Sequence, residues 1–326
     1  MKSVILRGSL PASLCPFRPD FSVDEEAFAS HVRWLVEASK GGGVVCNGHA
    51  GEVASLTRKE RKRVVEVAVR EASGKAPVIA GVYTDSPPEA VEFARDAEAA
   101  GANAILLFPP PVFGGGGNRT EAMVLSFAQT VSSAVGIGVV IFQFPVAGLG
   151  YPTELLLRLM EIPNIVGVKE GSDHLPTFER NLRAIKKARP EASVLTTNNT
   201  MLFSSTALGA DGILSGSGSV VADLHAELFD AVQRGDLRAA RAVNDRIWPL
   251  TQVFYCDPPV NMHNRMKVAL EYLGRQPKAV VRPPLQPLGE EERARIIRGV
   301  QDAGLRQAGE AGSRSETDYS AVAAAV

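Results

Sequence analysis

Cysteine is scarce in this 326-residue chain: Cys15, Cys46 and Cys256 lie far apart and form no CxxC pair. That excludes a disulfide framework and predicts free thiols in a reducing cytoplasm. Histidine is nearly as scarce. His31, His49, His174, His225 and His263 make no HxxxH or HExxH pattern, so neither a zinc site nor any other cofactor is expected. An excess of one charge is also missing. The 35 Lys and Arg against 36 Asp and Glu leave a net charge of −1, too little field to hold a polyanion, which removes nucleic acid from the expected partners. No apolar run approaches the roughly 18 residues of a membrane span. The opening Met1-Lys2-Ser3, with Arg7 close behind, is too short and too soon charged to read as a signal peptide. These absences predict a cytoplasmic, metal-independent protein.

What is present is enough apolar sequence, 45% against 22% charged, for a sizeable core. At roughly 150 residues per domain, the length allows two domains or one large domain with an appendage. Short apolar runs recur at Gly43–Cys46, Val78–Val82, Ala104–Phe108, Val139–Phe144, Ile165–Val168, Val194–Thr196 and Ile213–Leu214, with an earlier strand expected inside Val4–Phe17. Most are continuous rather than alternating, as in parallel strands buried on both faces. Between them lie amphipathic stretches. Ser22-Val-Asp-Glu25 and Thr57-Arg-Lys-Glu60 both read as capping boxes. Phe28, Val32, Leu35 and Val36 make one buried stripe, and Gly101 is placed as a helix C-cap. Strand starts about 20 to 35 residues apart give eight βα units, the pace of a (β/α)8 TIM barrel. A doubly wound sheet would carry GxGxxG after its first strand, and none is present.

From Leu224 the pattern turns helical: Leu224–Arg234, Leu237–Phe254, Val260–Leu273 and Gly289–Ala303, punctuated by Pro258-Pro259 and Pro283-Pro284. The expected division is a barrel carrying the active site over residues 1–225, a C-terminal helical extension over 226–306, and a disordered tail over 307–326.

Barrels of this kind place reacting groups at the C-terminal ends of their strands. Lys169, ending the run Ile165–Val168, is the most informative residue there. A desolvated lysine loses proton affinity, and a neutral amine attacks carbonyls to form an iminium. The competing reading is a lysine whose head merely reaches solvent. Gly48-His-Ala-Gly-Glu52 follows the second run, and its two glycines let backbone N–H groups approach a carboxylate. Its residue Glu52 reads as a cap of its own turn or helix. Phe142-Gln-Phe-Pro145 brings rings to a strand end, as site or as core. Ser215-Gly-Ser-Gly-Ser219 opens a helix and reads equally as an anion site or a plain cap. Gly114–Gly117 lacks the Lys-Ser/Thr of a phosphate loop and reads as a mobile loop, and Lys267 sits in a helical pattern with no catalytic role required.

Together, GHAGE after the second strand, FQFP at the fifth and Gly167-Val-Lys-Glu170 at the sixth resemble the dihydrodipicolinate synthase / N-acetylneuraminate lyase family of class I Schiff-base lyases. The resemblance extends over about residues 8–305 and includes Gly209-Ala-Asp-Gly-Ile-Leu-Ser215 and Met266-Lys-Val-Ala-Leu270. It implies a (β/α)8 barrel with a helical extension, assembled as a homotetramer or dimer. By it, Lys169 stands at the Schiff-base lysine and GHAGE at a GTTGE loop holding the carboxylate of a 2-oxo acid such as pyruvate. His49 and Ala50 stand where that loop has two threonines. Leu214 and Ser215 stand at positions flanking the bound acid.

Three departures matter. Phe142 replaces the tyrosine of the family's YNxP motif, and a phenyl ring carries no proton. Pro109-Pro110-Pro111 replaces the segment that supplies a second tyrosine, and Ala147 falls near the position of a substrate-binding arginine. The expected function is therefore a Schiff-base lyase for a small 2-oxo acid or cyclic imine, of dehydratase, deaminase or aldolase type, with elimination favoured. The name 4-hydroxy-tetrahydrodipicolinate synthase would apply as a family label only, and a non-catalytic metabolite-binding barrel is the alternative of another class. His49, ordinarily titrating near neutrality, is the expected substitute acid–base group, against a purely packing role. Gln143 is expected to orient a water or a substrate hydroxyl, and Asn198-Asn199 to fix substrate hydroxyls or merely turn the chain.

Overall fold

The continuous apolar runs form strands, and each one pairs with its neighbours in parallel. The computed structural model describes residues 4–114, 119–144, 148–197 and 199–307. Its strands are β1 (Gly8–Ser9), β2 (Val44–Cys46), β3 (Val78–Val82), β4 (Ala104–Leu107), β5 (Gly138–Gln143), β6 (Ile165–Glu170), β7 (Ser193–Thr196) and β8 (Gly212–Ile213). They lie in the order β1-β8-β7-β6-β5-β4-β3-β2. A parallel bridge between Ala12 and Val45 closes the ring from β1 to β2. There the Val45 N–H donates to the Pro11 carbonyl at 2.9 Å and the Ser13 N–H to the Val45 carbonyl at 2.8 Å. The fold is a (β/α)8 barrel with helices continuing beyond the last strand.

Seven helices follow the first seven strands in alternation: α1 (Glu25–Ala38), α2 (Arg58–Ala72), α3 (Pro87–Ala99), α4 (Glu121–Ser132), α5 (Thr153–Met160), α6 (Leu175–Ala188) and α7 (Leu202–Ala207). After β8 come α8 (Gly218–Gln233), α9 (Leu237–Phe254), α10 (Met262–Tyr272) and α11 (Glu290–Asp302). The core has two shells. Leu10, Val45, Ile79, Leu106, Val140 and Leu195 fill the barrel interior, while Val44, Val78, Ile105, Val139, Val168 and Val194 face outward into the helices. Apart from Gly8 and Val166, every strand residue is buried, which is why the strands read as continuous runs. Strand β3 passes so close to the loop after β2 that a β-carbon on Gly81 would stand 1.9 Å from the Asn47 carbonyl oxygen. Only glycine fits there.

One irregularity has direct consequences for the site. Between β5 and β6 the register runs Val139 to Ile165, then Val140 to Gly167, so Val166 has no partner on β5. The extra residue brings Lys169 beside Phe142. Paired residues of parallel strands share a face, so Lys169 takes the inward face of Phe142.

Local expectations were met at Thr57, whose side chain accepts from the Glu60 N–H while the Glu60 carboxylate accepts from the Thr57 N–H, and at Gly101, which has φ +94° just past α3. The Ser22 capping box did not form. Val23 is held in an antiparallel bridge with Phe17, so helical geometry cannot begin before Asp24, whose carboxylate accepts from the Ala27 N–H at 3.1 Å. Ser22 bonds Asp20 instead, at 2.6 Å. Helix α8 starts at Gly218, six residues before the expected Leu224, and bends at Val221. Helix α10 starts at Met262, after a 3-10 turn at Pro259–Asn261 that takes up the proline pair. Most of the Gly114–Gly117 loop, Pro145, Ala147, Asn198 and all but the first residue of the 307–326 tail lie outside the described residues.

Candidate active site

Alternation along β6 decides which groups meet. Val168 packs outward among the helices. Glu170 also points that way, accepting from the Asn181 amide at 3.0 Å and the Ser172 N–H at 3.2 Å. Lys169, between them, turns into the barrel, where its Nζ lies 4.0 Å from the centroid of the Phe142 ring. Lys169 is only 8% exposed, and burial pulls its ammonium down from 10.5 to about 7. A substantial fraction is therefore the free amine at neutral pH, the form that attacks a carbonyl.

Five rings from four strand ends gather at this mouth. His49, after β2, lies 4.7 Å from Phe108, 5.1 Å from Phe144, 5.5 Å from Tyr83 and 6.1 Å from Phe142, measured between centroids. Phe142 is 5.1 Å from Phe108 and 5.0 Å from Phe144. Such an apolar surround strengthens electrostatic effects and penalises charge. It also corrects the expectation that His49 titrates near neutrality. Burial first, then the charges of Lys169 and His263, push the imidazole down to about 3. His49 stands beside Lys169 as a neutral ring.

The GHAGE loop folds on itself. Gly51 N–H donates to Gly48 O at 3.1 Å, Glu52 N–H to His49 O at 2.9 Å and Val53 N–H to Gly48 O at 3.3 Å. Among the described residues, the N–H groups of Gly48, His49 and Ala50 have no such partner, and they are the loop donors left to an anion. Glu52 takes a left-handed conformation, φ +53°. Its carboxylate neither caps the following turn nor faces the rings. One oxygen accepts from Lys267, which is fully buried on α10, and the other accepts from the Arg282 N–H at 3.2 Å. Lys267 also donates to the Val280 carbonyl at 2.8 Å and stands over the Phe17 ring. The C-terminal helices thus hold the end of the loop.

Gln143 is not brought to this group. It follows the inward Phe142 and so faces outward, where its amide donates to Tyr151 O at 2.8 Å and accepts from Tyr151 N–H at 2.7 Å. The expected contact with a water or substrate hydroxyl is replaced by this backbone clamp, because a strand cannot present two successive residues to one face. Ala50 and Leu214 are buried in the interior shell. The Ser215 hydroxyl bonds Asn199, lies 2.9 Å from Ser217 Oγ and 3.4 Å from the Tyr255 hydroxyl.

Neither reading of the SGSGS segment survives unchanged. Ser217 offers no side-chain cap to α8, and its N–H donates to the Tyr255 hydroxyl at 3.0 Å. The Ser219 hydroxyl is spent on Ala12 O at 2.7 Å and on the Leu14 N–H at 2.8 Å. Tyr83, Phe108 and Tyr255 are the residues that sequence reasoning missed. Tyr83 follows one predicted strand and Phe108 ends another, so both were visible as strand-end aromatics. Tyr255 carries no local signal, since its partners lie about 40 positions away. Among the described residues, no group of three or more His, Cys, Asp or Glu gathers to hold a metal ion. No helix among them is long and apolar enough to cross a membrane.

The model of the dihydrodipicolinate synthetase family matches residues 5–303. The chain is 34% identical over 302 residues to the 4-hydroxy-tetrahydrodipicolinate synthase of Methylobacterium radiotolerans, covering 92% of this chain and 96% of that protein. It is 31% identical over 303 residues to the enzyme of the same name from Bartonella bacilliformis, covering 92% and 99%. Among solved structures it resembles YagE, a prophage protein of the dihydrodipicolinic acid synthase family from E. coli K12 in complex with pyruvate. That match has a TM-score of 0.86 and 26% identity over 93% of this chain and all of that one. The chloride-inhibited dihydrodipicolinate synthase of Acinetobacter baumannii complexed with pyruvate matches with a TM-score of 0.80 and 26% identity, over 92% and 99%.

Proposed function

The chain belongs to the dihydrodipicolinate synthetase family of Schiff-base lyases, and on that premise we propose that it forms an imine between Lys169 and a small 2-oxo acid. The observation that carries this is the position of Lys169 itself: inward at the end of β6, against the Phe142 ring, and held near neutrality by burial. The amine attacks C2, and the iminium withdraws electrons so that C3 becomes acidic and a group on C4 can leave or a C3–C4 bond can break. The N–H groups of His49 and Ala50 are assigned to the substrate carboxylate, with Leu214 and Ser215 beside it.

The finer reading is elimination, of water or ammonia, in preference to condensation with a second acid. Phe142 presents no hydroxyl to Lys169, and the second tyrosine and the arginine of the synthase pattern are replaced by Pro109-Pro110-Pro111 and Ala147. We assign the protein to the cytoplasm and to a homo-oligomer, dimer or tetramer, on the same family grounds.

Borohydride reduction in the presence of a panel of 2-oxo acids, followed by peptide mass spectrometry, tests the reading. An adduct on Lys169 is expected. Capture on Lys267, or no capture with any acid, would overturn it. Robust condensation of pyruvate with aspartate semialdehyde would overturn the preference for elimination.

A further inference from the structure

A Schiff-base cycle needs a group that moves protons, and the ring facing Lys169 is a phenylalanine. His49, pushed down to about 3, is a weak base and carries almost no proton to donate at pH 7. A phenol does reach the barrel mouth, from outside the barrel. Tyr255 follows the last turn of α9 and puts its hydroxyl against the segment after β8, 3.0 Å from the Ser217 nitrogen and 3.4 Å from Ser215 Oγ.

Three features connect that hydroxyl to the carboxylate loop. Gly216 separates it from Ala50: a β-carbon built on Gly216 would stand 3.5 Å from the Ala50 β-carbon and 3.6 Å from the Tyr255 oxygen. The Met266 methyl closes the third side at 3.7 Å, so the glycine is what lets the phenol oxygen and the carboxylate loop come this near one another. The Ser217 N–H occupies one acceptor site of the phenol oxygen, which fixes the ring and leaves its own hydrogen for another partner. Ser215 Oγ, at 3.4 Å, is at the long end of the hydrogen-bond range and already bonds Asn199 and Ser217. Burial raises the Tyr255 phenol above its ordinary value, so it is a protonated donor at neutral pH.

Resting on the Schiff-base reading above, we propose that Tyr255 is the proton-transferring residue of the site, supplied by the C-terminal extension in place of a tyrosine on β5. The Lys169 amine adds to C2 as the carbonyl π pair moves to oxygen, and a proton passes from nitrogen to that oxygen, leaving a neutral carbinolamine. The phenol then protonates the carbinolamine hydroxyl. The C–O bond breaks, water leaves and the iminium forms beside a phenolate. That phenolate takes a C3 proton, the C–H pair becomes the enamine double bond, and the phenol is restored.

Pyruvate is a sufficient probe, because on the enzyme its methyl protons exchange with deuterium oxide through the enamine, and the slow enolisation in buffer alone is measured separately and subtracted. Exchange is followed by proton NMR and adduct by borohydride trapping, on the full chain. In Tyr255→Phe, exchange per trapped Lys169 adduct should fall about 10²-fold or more. A purely structural tyrosine would lower adduct and exchange together and leave their ratio unchanged, and an unchanged ratio overturns the proposal. Gly216→Ala keeps Tyr255 but fills the gap at ordinary contact distances, and should lower the same ratio. Loss of exchange in Tyr83→Phe or His49→Gln, with Tyr255→Phe unaffected, would also overturn it, as would wild-type adduct without exchange. Absence of any wild-type adduct on Lys169 is a different failure, that of the Schiff-base reading itself.

Discussion

At the scale of single residues, the site depends on how water is excluded from Lys169. The rate of imine trapping with pyruvate should rise with pH through about 7 and then level, following the free amine. A rate still climbing steeply at pH 10 would mean a solvated lysine. No inflection near 6.5 is expected from His49, because burial has moved it to about 3. Lys169→Arg should be as inactive as Lys169→Ala, since a guanidinium stays protonated and cannot attack. Substantial activity in the arginine variant would make Lys169 a point charge. The same burial has a stability signature. The folded lysine binds its proton less tightly than the unfolded one, so its cost is full below pH 7 and is relieved as pH rises toward 10.5. Lys169→Met should therefore be more stable than wild type near pH 7, by a few kcal/mol at most, and this advantage should shrink at alkaline pH. A variant less stable than wild type at pH 7 in denaturant titration would contradict the desolvation argument.

At the scale of elements, the caps give a direct comparison. Thr57→Ala removes a working capping box and Asp24→Ala a working N-cap, and each should cost about 1 kcal/mol. Ser22→Ala should cost clearly less, because Ser22 bonds only the exposed Asp20. Equal losses in urea melts would restore the original reading of Ser22. The comparison also marks what a sequence can reveal. The strands were legible because burial on both faces leaves a continuous apolar run, bounded by turn residues and spaced at the pace of a βα unit. Helix starts were legible where a capping residue precedes an unconstrained chain, as at Thr57, and misread where a distant bridge holds that chain extended, as at Val23. The start of α8 was hidden because Gly and Ser opened it and an aromatic hydroxyl from α9 engaged its N-terminus. In the site, Lys169 and the GHAGE loop carried local signals. Gln143 was misread for want of its facing, which depends on the neighbouring strand.

Across the whole molecule, the C-terminal helices are part of the site's support. Lys267 and the Arg282 N–H hold Glu52, and the Arg282 side chain bonds Glu60 and the carbonyls of Phe21 and Ser55. Lys267→Met leaves a buried carboxylate without its cation and should cost about 3–5 kcal/mol. Combining it with Glu52→Gln should recover much of that loss, because the uncompensated charge is gone. If the double variant is no more stable than the single one, the ion pair is not the source of the cost. The affinity for pyruvate should weaken in the single variant as well, since Glu52 ends the loop that offers the His49 and Ala50 N–H groups.

The unpaired Val166 makes the position of the nucleophile a matter of counting. Substituting or even removing Val166 keeps Lys169 opposite Phe142, but were Val166 paired with Val140 instead of set aside, the rest of β6 would fall one place out of step with β5. Gln143 would then be the neighbour of the lysine, the amine would face the helices, and Val168 would enter the barrel mouth. Every residue of the GVKE motif would still be present in the sequence, and the reaction would be gone. In this barrel the motif identifies the lysine, and one residue without a partner gives it its direction.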